Sequence, residues 1–208
     1  MKTHLVVSVL TLLAVSAFGQ ESRQPAPLAR IIPTPQHMAG TSEVFKLSSR
    51  TRIILGERTT AEDTFAAEQL NVCLAEFKKE PLSVTKEDGL KKMPKGYVFL
   101  GSHQGTFARQ WMKSHTISWS SELKEEGYLL SVSEEGVVIL GESAAGRYYG
   151  VMTLVQMLDS QKKGMIVPGV LIRDWPQQKI RGITDDLSRN QVSTMENFKK
   201  NHPFSVTP

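Results

Sequence analysis

Two adjacent aspartates, Asp185 and Asp186, are the residues whose type most directly suggests acid–base chemistry. Such chemistry uses one group to donate a proton and a second group to accept one. Both lie between Ile180 and Leu187, in a stretch whose apolar residues are typical of a β-strand. Because neighbouring side chains on a strand point to opposite faces, the two carboxylates cannot line one cleft. We therefore assign no catalytic residue from this pair.

The other reactive residue types are scattered along the chain. His103, His115 and His202 do not have the spacing of a metal site, and there is no G-x-S-x-G nucleophile motif. The single cysteine, Cys73, lies on the apolar side of a helical pattern, so we expect it to be buried. It can form no intramolecular disulfide. The sequence thus predicts no metal site, no cofactor and no catalytic residue.

Tryptophans and lysines are the residue types that could bind a partner. Trp111, Trp119 and Trp175 could stack on sugar rings, although a tryptophan in a domain of this size more often belongs to the core or to an interface. Lysines cluster between positions 78 and 95, without interleaved aromatic residues or a nucleic-acid motif. With a net charge of +4, we interpret them as a solvated surface and expect no nucleic-acid partner.

The elements that must position these residues are clearest between Gly127 and Leu158. Apolar and polar residues alternate over 128–132, Glu135-Gly136 supplies a turn, and 137–140 is a second apolar run. Period-two patterning on both sides of a glycine-containing turn predicts a β-hairpin.

A helix is predicted directly after this hairpin, with Ser143 as its cap. Its expected buried stripe recurs at three- and four-residue spacing and comprises Tyr149, Thr153, Leu154, Met157 and Leu158. Gly146 and Gly150 lie four residues apart on one helical face. Glycines in a helix cost stability, so we expect them to be offset by close packing of the helix on the sheet.

Weaker patterns predict the remaining elements. Strands are predicted at residues 44–47, 51–55, 82–85, 97–100 and 166–172, and a short helix at 104–113. A longer helix, capped by Thr59 or Thr60, should run to about Lys79, and Thr59 with Glu62 has the spacing of a capping box. Its apolar stripe, predicted to be core, comprises Phe65, Leu70, Cys73, Leu74 and Phe77. Pro168 marks an edge position or the start of a strand.

The element order predicts the fold class. At least one hairpin and only two substantial helices favour an α+β fold, with one mixed, mainly antiparallel sheet and two helices packed on one face. Periodicity alone does not exclude a different strand order.

The first 19 residues have the organisation of a secretory signal. A basic head, 1–4, precedes an apolar run, 5–15, that is too short to span a bilayer. Ala17-Phe18-Gly19 then places small residues where a signal peptidase reads them. We therefore predict cleavage after Gly19, a flexible lead-in over 20–30, a secreted or periplasmic location, and no membrane association after signal removal.

Three patterns follow one another from Glu126: E-G-Y-x-L-x-V, V-x-I-x-G and A-G-x-Y-Y-G-x-x-T-L-x-Q-M-L. Together they resemble the non-catalytic N-terminal domain of family 20 glycoside hydrolases, the β-N-acetylhexosaminidases. Ile31-Ile32-Pro33-Thr34-Pro35-Gln36 is similar to the motif that opens this domain. The resemblance implies a hexosaminidase-like N-terminal α+β domain over residues 31–174.

A second part of the resemblance lies within residues 175–208. After Asp174-Trp175-Pro176, the residues Arg181, Gly182, Asp186, Ser188 and Arg189 match the family's junction into the first strand of a (β/α)₈ barrel. Asp185 departs from the pattern, in which an apolar residue is more usual. The resemblance implies that Arg189 binds hydroxyls of the terminal amino sugar once a barrel is completed. A guanidinium fork suits that role, because it donates two oriented hydrogen bonds.

The family's catalytic Asp-Glu pair lies on a barrel strand far downstream, and the substrate's own acetamido group acts as the nucleophile. A barrel takes about 250 residues, whereas nineteen positions follow Arg189, and the resemblance is lost after Lys200. We therefore expect the N-terminal, non-catalytic portion of a secreted β-N-acetylhexosaminidase, inactive alone, whose reading frame ends early. The resemblance implies N-acetylhexosamine-containing glycans as substrates of the full-length family.

Two other functions stay open at this point. The chain could be a stand-alone secreted carbohydrate-binding module, in which case a glycan column would retain it. It could instead be an interaction module that docks a separately encoded catalytic barrel, which co-purification would reveal.

Overall fold

The computed structural model describes residues 30–77, 79–90, 92–160, 166–182 and 194–197. The predicted signal segment and residues 20–29 of the lead-in lie outside the described residues. The chain divides into two compact units, Met1–Trp175 and Pro176–Pro208. Within the described ranges, no helix combines the length and apolar character that a bilayer crossing needs.

The first unit contains seven strands and three α-helices in its described part. In chain order they are β1 (His37–Lys46), β2 (Arg52–Leu55), α1 (Ala61–Glu76), β3 (Ser83–Lys86), β4 (Tyr97–Ser102), α2 (Thr106–Ser114), β5 (Tyr128–Val132), β6 (Gly136–Gly141), α3 (Ala144–Ser160) and β7 (Ile166–Asp174). One-turn 3₁₀ helices occur at Glu87–Gly89 and Ser121–Leu123. Each element predicted between residues 44 and 172 is present, and the boundary that differs most is the start of β1, at His37 instead of residue 44. The strand-like stretch predicted between Ile180 and Leu187 lies, from residue 183 onward, outside the described residues.

The strands form one sheet in the order β1-β7-β5-β6-β4-β2-β3. The three pairings among β1, β7, β5 and β6 are antiparallel, and this half contains the two longest strands, β1 and β7. The three pairings among β6, β4, β2 and β3 are parallel. The predicted hairpin is β5–β6, with Leu130 opposite Ile139. The predicted α+β class with a mixed sheet is therefore confirmed.

The two faces of the sheet carry separate apolar layers, because successive side chains of a strand alternate between faces. Ile53, Val98 and Ile139 point to the face that α1 and α3 cover. Ile54, Phe99 and Val138 point to the opposite face, where α2 packs through Ala108 and Trp111. Two helices thus share one face, as predicted, and the short helix covers part of the other.

Helix α3 lies directly on the hairpin. A Cβ added at Gly150 would stand 2.5 Å from Cγ2 of Ile139, and one at Gly146 would overlap the carbonyl oxygen of Gly127. Close approach at both glycines is therefore confirmed. The Ser143 cap is confirmed too, since its Oγ accepts a hydrogen bond from the Gly146 amide at 3.4 Å. The predicted stripe is wrong at Tyr149, which is 37% exposed.

Helix α1 is capped by Thr60, one of the two predicted caps, whereas the predicted Thr59–Glu62 capping box is wrong. The Thr60 amide donates to Oδ2 of Asp63 at 2.8 Å, so the pair one residue further along forms the box. Both pairs have the same spacing, and the difference is that Asp63 is buried while Glu62 is exposed. Cys73 on the same helix is buried, as predicted.

Strand β7 lies inside the sheet, and Pro168 stands near its start. Pro168 is opposite Val44 of β1, whereas the pairing of β7 with β5 begins at Val170. Since proline has no N–H to donate, it is tolerated where only one neighbouring strand is paired. This agrees with the strand-start position predicted for it.

Candidate functional site

The sugar-binding residue implied by resemblance, Arg189, lies outside the described residues, as do Asp185, Asp186 and Ser188. Of the same motif, Arg181 is described, and its Nη1 donates to the Gln178 carbonyl at 2.6 Å. The assignment of Arg189 stays a prediction.

The three tryptophans pack against the protein. Trp111 is 6% exposed and belongs to the apolar layer beneath α2. The Trp119 ring is covered by His103, with ring centroids 4.1 Å apart and planes 6° from parallel. Trp175 is half-buried, packs against the same layer and is tilted against His37. Their packing agrees with the core-or-interface interpretation of these residues.

His103 and His115, the two histidines with no metal-ligand spacing that lie within the described residues, have separate contacts in the protein. The Nδ1 atom of His115 lies 2.9 Å from the Trp111 carbonyl oxygen. Burial lowers the pKa of His103, and the nearby Glu142 partly opposes this. Across the described ranges, no three or more His, Cys, Asp or Glu side chains converge to hold a metal ion.

The carboxyl ends of β2 and β4 form the arrangement most similar to a ligand site. Helix α1 follows β2 and packs on one face, while α2 follows β4 and packs on the other. In α/β sheets, ligands bind where successive connections diverge in this way. A depression of about 260 Å³ is present here, lined by Gly56, Glu57, Arg58, Thr59, Lys86 and Asp88.

Beside this depression, the carboxylates of Glu57 and Glu87 lie where a bound anion would otherwise be held. The Glu87 carboxylate accepts hydrogen bonds from the amides of Phe107 and Glu57, each at 3.2 Å. The Glu57 carboxylate accepts from the Thr106 amide at 3.4 Å. The amides of Thr106 and Phe107 in the first turn of α2, which could otherwise bind a phosphate, are thus already paired. The arrangement caps a helix and does not present a catalytic acid.

A buried ion pair joins α1 to α3. Nε and Nη2 of Arg147 donate to the two carboxylate oxygens of Asp63, at 2.5 and 2.7 Å. Nη1 of Arg147 also donates to the carbonyls of Gly141 and Glu142, at 3.2 and 3.4 Å. Both side chains are almost fully buried. The carboxylate is held by a cation and a helix cap, so it serves structure instead of proton transfer.

A second polar group lies where the sheet domain ends. The Tyr128 hydroxyl donates to Oδ2 of Asp174 at 3.2 Å and lies 2.6 Å from Oγ1 of Thr153. Burial raises the pKa of Tyr128 well above its usual value, which keeps the phenol protonated. The other oxygen of Asp174 accepts from the Gln36 amide at 3.1 Å. Asp174 therefore links three segments.

These polar groups escaped sequence reasoning for a physical reason. Asp63 and Arg147 are 84 positions apart, and Gln36 and Asp174 are 138 apart. Local periodicity does not report on such contacts. The signal available in the sequence was Arg147, a charged residue inside an apolar helical stretch. Because a fully buried arginine is rare unless it is paired, its position indicates a buried partner.

The chain is similar to known glycosyl hydrolases. The family model described as glycosyl hydrolase family 20, domain 2, matches residues 28–175. A β-hexosaminidase of Porphyromonas gingivalis is 27% identical over 205 residues, which cover 94% of this chain and 23% of that protein. An N,N'-diacetylchitobiase of Vibrio harveyi is 33% identical over 73 residues, covering 35% of this chain and 8% of that protein. The chain thus spans less than a quarter of the length of either relative.

Solved structures show the same fold. A chitobiase from Flavobacterium johnsoniae superposes with a TM-score of 0.59 at 18% identity, over 84% of this chain and 25% of that one. The family 20 β-N-acetylhexosaminidase of Streptomyces coelicolor gives a TM-score of 0.52 at 23% identity, over 75% and 28%. In both, the matched part is about a quarter of a longer chain.

Proposed function

Since this chain belongs to family 20 of the glycosyl hydrolases through that family's domain 2, we propose that it supplies the N-terminal, non-catalytic part of a β-N-acetylhexosaminidase. The observation that carries the proposal is the domain 2 match over residues 28–175, which includes all seven strands and all three helices described above. The substrates of such an enzyme are glycans that contain N-acetylhexosamine.

The proposed contribution of this part is a scaffold. Family 20 chemistry needs a carboxylic acid held against the glycosidic oxygen, with the substrate's acetamido group as nucleophile. Four buried or hydrogen-bonded acidic side chains have other roles: Asp63 pairs with Arg147, Glu57 and Glu87 cap α2, and Asp174 links chain segments. We therefore expect the 208-residue chain not to hydrolyse glycosides by itself.

The test is hydrolysis of a chromogenic N-acetylglucosaminide by the purified 208-residue chain, with the P. gingivalis relative as positive control. Circular dichroism should first show that the chain is folded. We expect release indistinguishable from the buffer blank. Product that forms in proportion to the concentration of this chain, and that persists through successive purification steps, would contradict the proposal.

Export of the chain is also proposed, on the basis of the basic head, the apolar run and the small residues at positions 17 and 19. Sequencing of the exported product should give Gln20 as its first residue. Replacing Ala17 by Arg should block this processing, because a signal peptidase reads a small residue there. Processing of the A17R variant at the same site would argue against the assignment.

A further inference from the structure

A short arm at the start of the described sheet domain, residues 31–36, is bound at both of its ends. Near its start, Gln156 of α3 accepts from the Ile32 amide at 2.9 Å and donates back to the Ile32 carbonyl at 3.1 Å. At its end, the Gln36 amide donates to Oδ1 of Asp174 at 3.1 Å, and the Gln36 side chain donates to the Trp175 carbonyl at 3.4 Å. The arm is therefore attached to α3 and to the end of β7.

Asp174 is itself held in place from inside the domain. Its second oxygen accepts the Tyr128 hydroxyl at 3.2 Å. Because that phenol has one proton and gives it to the carboxylate, Thr153 of α3 is the donor across the 2.6 Å contact to the Tyr128 oxygen. A chain of hydrogen bonds thus runs from α3 through β5 and β7 to the arm.

The strand that follows the arm needs such support. Strand β1 is an edge strand with β7 as its neighbour, and its register shifts between Gly40 and Val44. The first pair of the β1–β7 ladder, His37 with Arg173, lies next to Gln36 and Asp174. An edge strand is paired on one side only, so a strand end that no further contact fixes opens before the rest of the sheet does.

We infer that Asp174 and Gln156 form a clasp that holds the arm closed and thereby keeps the first half of β1, His37–Gly40, on the sheet. Opening of the clasp releases the arm and these four residues together, while the rest of the sheet stays folded. Asp174 positions the arm, because its carboxylate accepts one hydrogen bond from Gln36 of the arm and another from Tyr128 of β5.

The test is amide hydrogen exchange of the 208-residue chain, followed residue by residue. Asp174→Ala should accelerate exchange of the paired amides within 37–40 by about tenfold, which corresponds to about 1.4 kcal/mol and to the loss of a hydrogen bond to a charged group. Gln156→Ala should accelerate the same amides, because it frees the other end of the arm. Amides of β4 should exchange at unchanged rates in both variants.

Gln104→Ala is the matched control for Gln156→Ala. It removes an exposed glutamine whose side-chain oxygen accepts a hydrogen bond from Arg58 at 3.4 Å and which has no part in the chain of hydrogen bonds to the arm, so residues 37–40 should keep their protection. If Asp174→Ala prevents folding, Asp174→Asn retains one acceptor and should give a smaller acceleration confined to the same amides. Unchanged protection at 37–40, or acceleration that is equal there and in β4, would overturn the inference.

Discussion

Individual side chains determine how the two large helices are joined. The Asp63–Arg147 pair lies between the first turns of α1 and α3, and both of its charges are removed from water. A buried pair adds little net stability compared with apolar residues, but the loss of one partner leaves an uncompensated charge. The pair therefore makes the junction of the helices sensitive to single substitutions.

Arg147→Met should destabilise the domain by about 3–5 kcal/mol, because it leaves the Asp63 carboxylate buried and unpaired. Urea denaturation measures the change. Arg109→Met, at an exposed position on α2, is the matched control and should change stability by about 0.5 kcal/mol or less. If the Asp63→Leu, Arg147→Met double variant is no more stable than the sum of the single changes implies, coupling within the pair is refuted.

The buried phenol of Tyr97 should make the folded state less stable at alkaline pH. Burial, with a smaller contribution from Glu135, raises the pKa of Tyr97 to about 12 from an ordinary value of 10.0. The folded state thus keeps this phenol neutral while the unfolded chain ionises it above pH about 10. The stabilisation is complete below pH 10 and is lost as the pH rises towards 12.

Denaturation midpoints measured between pH 8 and 12 check this expectation. The fall in stability above pH 10 should be shallower in Tyr97→Phe than in the natural chain. Equal slopes in the two proteins would mean that Tyr97 does not contribute to the alkaline transition.

Secondary-structure elements differ in how far local patterns could predict them. The β5–β6 hairpin and α3 were predictable because alternation, a glycine turn and a serine cap lie within one short stretch. The start of β1 was not predictable, since most of its first residues are exposed or half-buried and its position depends on pairing with β7. The parallel pairings of β2, β3 and β4 are likewise long-range, so local patterns predicted the fold class but not the strand order.

Gly150→Ala should destabilise the domain by about 1–3 kcal/mol, although alanine favours helices by about 1 kcal/mol. The new methyl would stand 2.5 Å from Ile139 Cγ2 and 3.2 Å from the Tyr128 ring, so α3 would be pushed off the sheet. Urea denaturation measures this cost. Adding Ile139→Ala removes the contacting atom, and the double variant should lose less stability than the two changes summed. Strict additivity would show that the contact is not the cause.

At the scale of the whole molecule, the chain belongs to family 20 through a domain 2 match over residues 28–175 and spans 23% of the length of its P. gingivalis relative. The fold and the family were accessible from sequence because their patterns are long and ordered. The candidate sugar contact at Arg189 is a different case, since its role depends on a barrel beyond the sheet domain and its position lies outside the described residues. Its assignment therefore depends on resemblance alone.

Glycan binding by the chain is expected to be absent, because the three tryptophans pack against the protein instead of forming an open platform. A column of immobilised N-acetylglucosamine oligomers should not retain the purified 208-residue chain. Retention that free N-acetylglucosamine reverses, and that Trp175→Ala abolishes, would favour the carbohydrate-binding module instead.

The neighbouring positions of β1 and β7 have a consequence for protein engineering. Since β1 and β7, the first and last described strands along the chain, pair with each other, with His37 opposite Arg173, a short peptide can join residue 174 to residue 37. New termini can then be opened between β3 and β4. A circular permutant of this kind should retain the sheet, and the same geometry would allow the domain to be inserted into a surface loop of a host protein without stretching either.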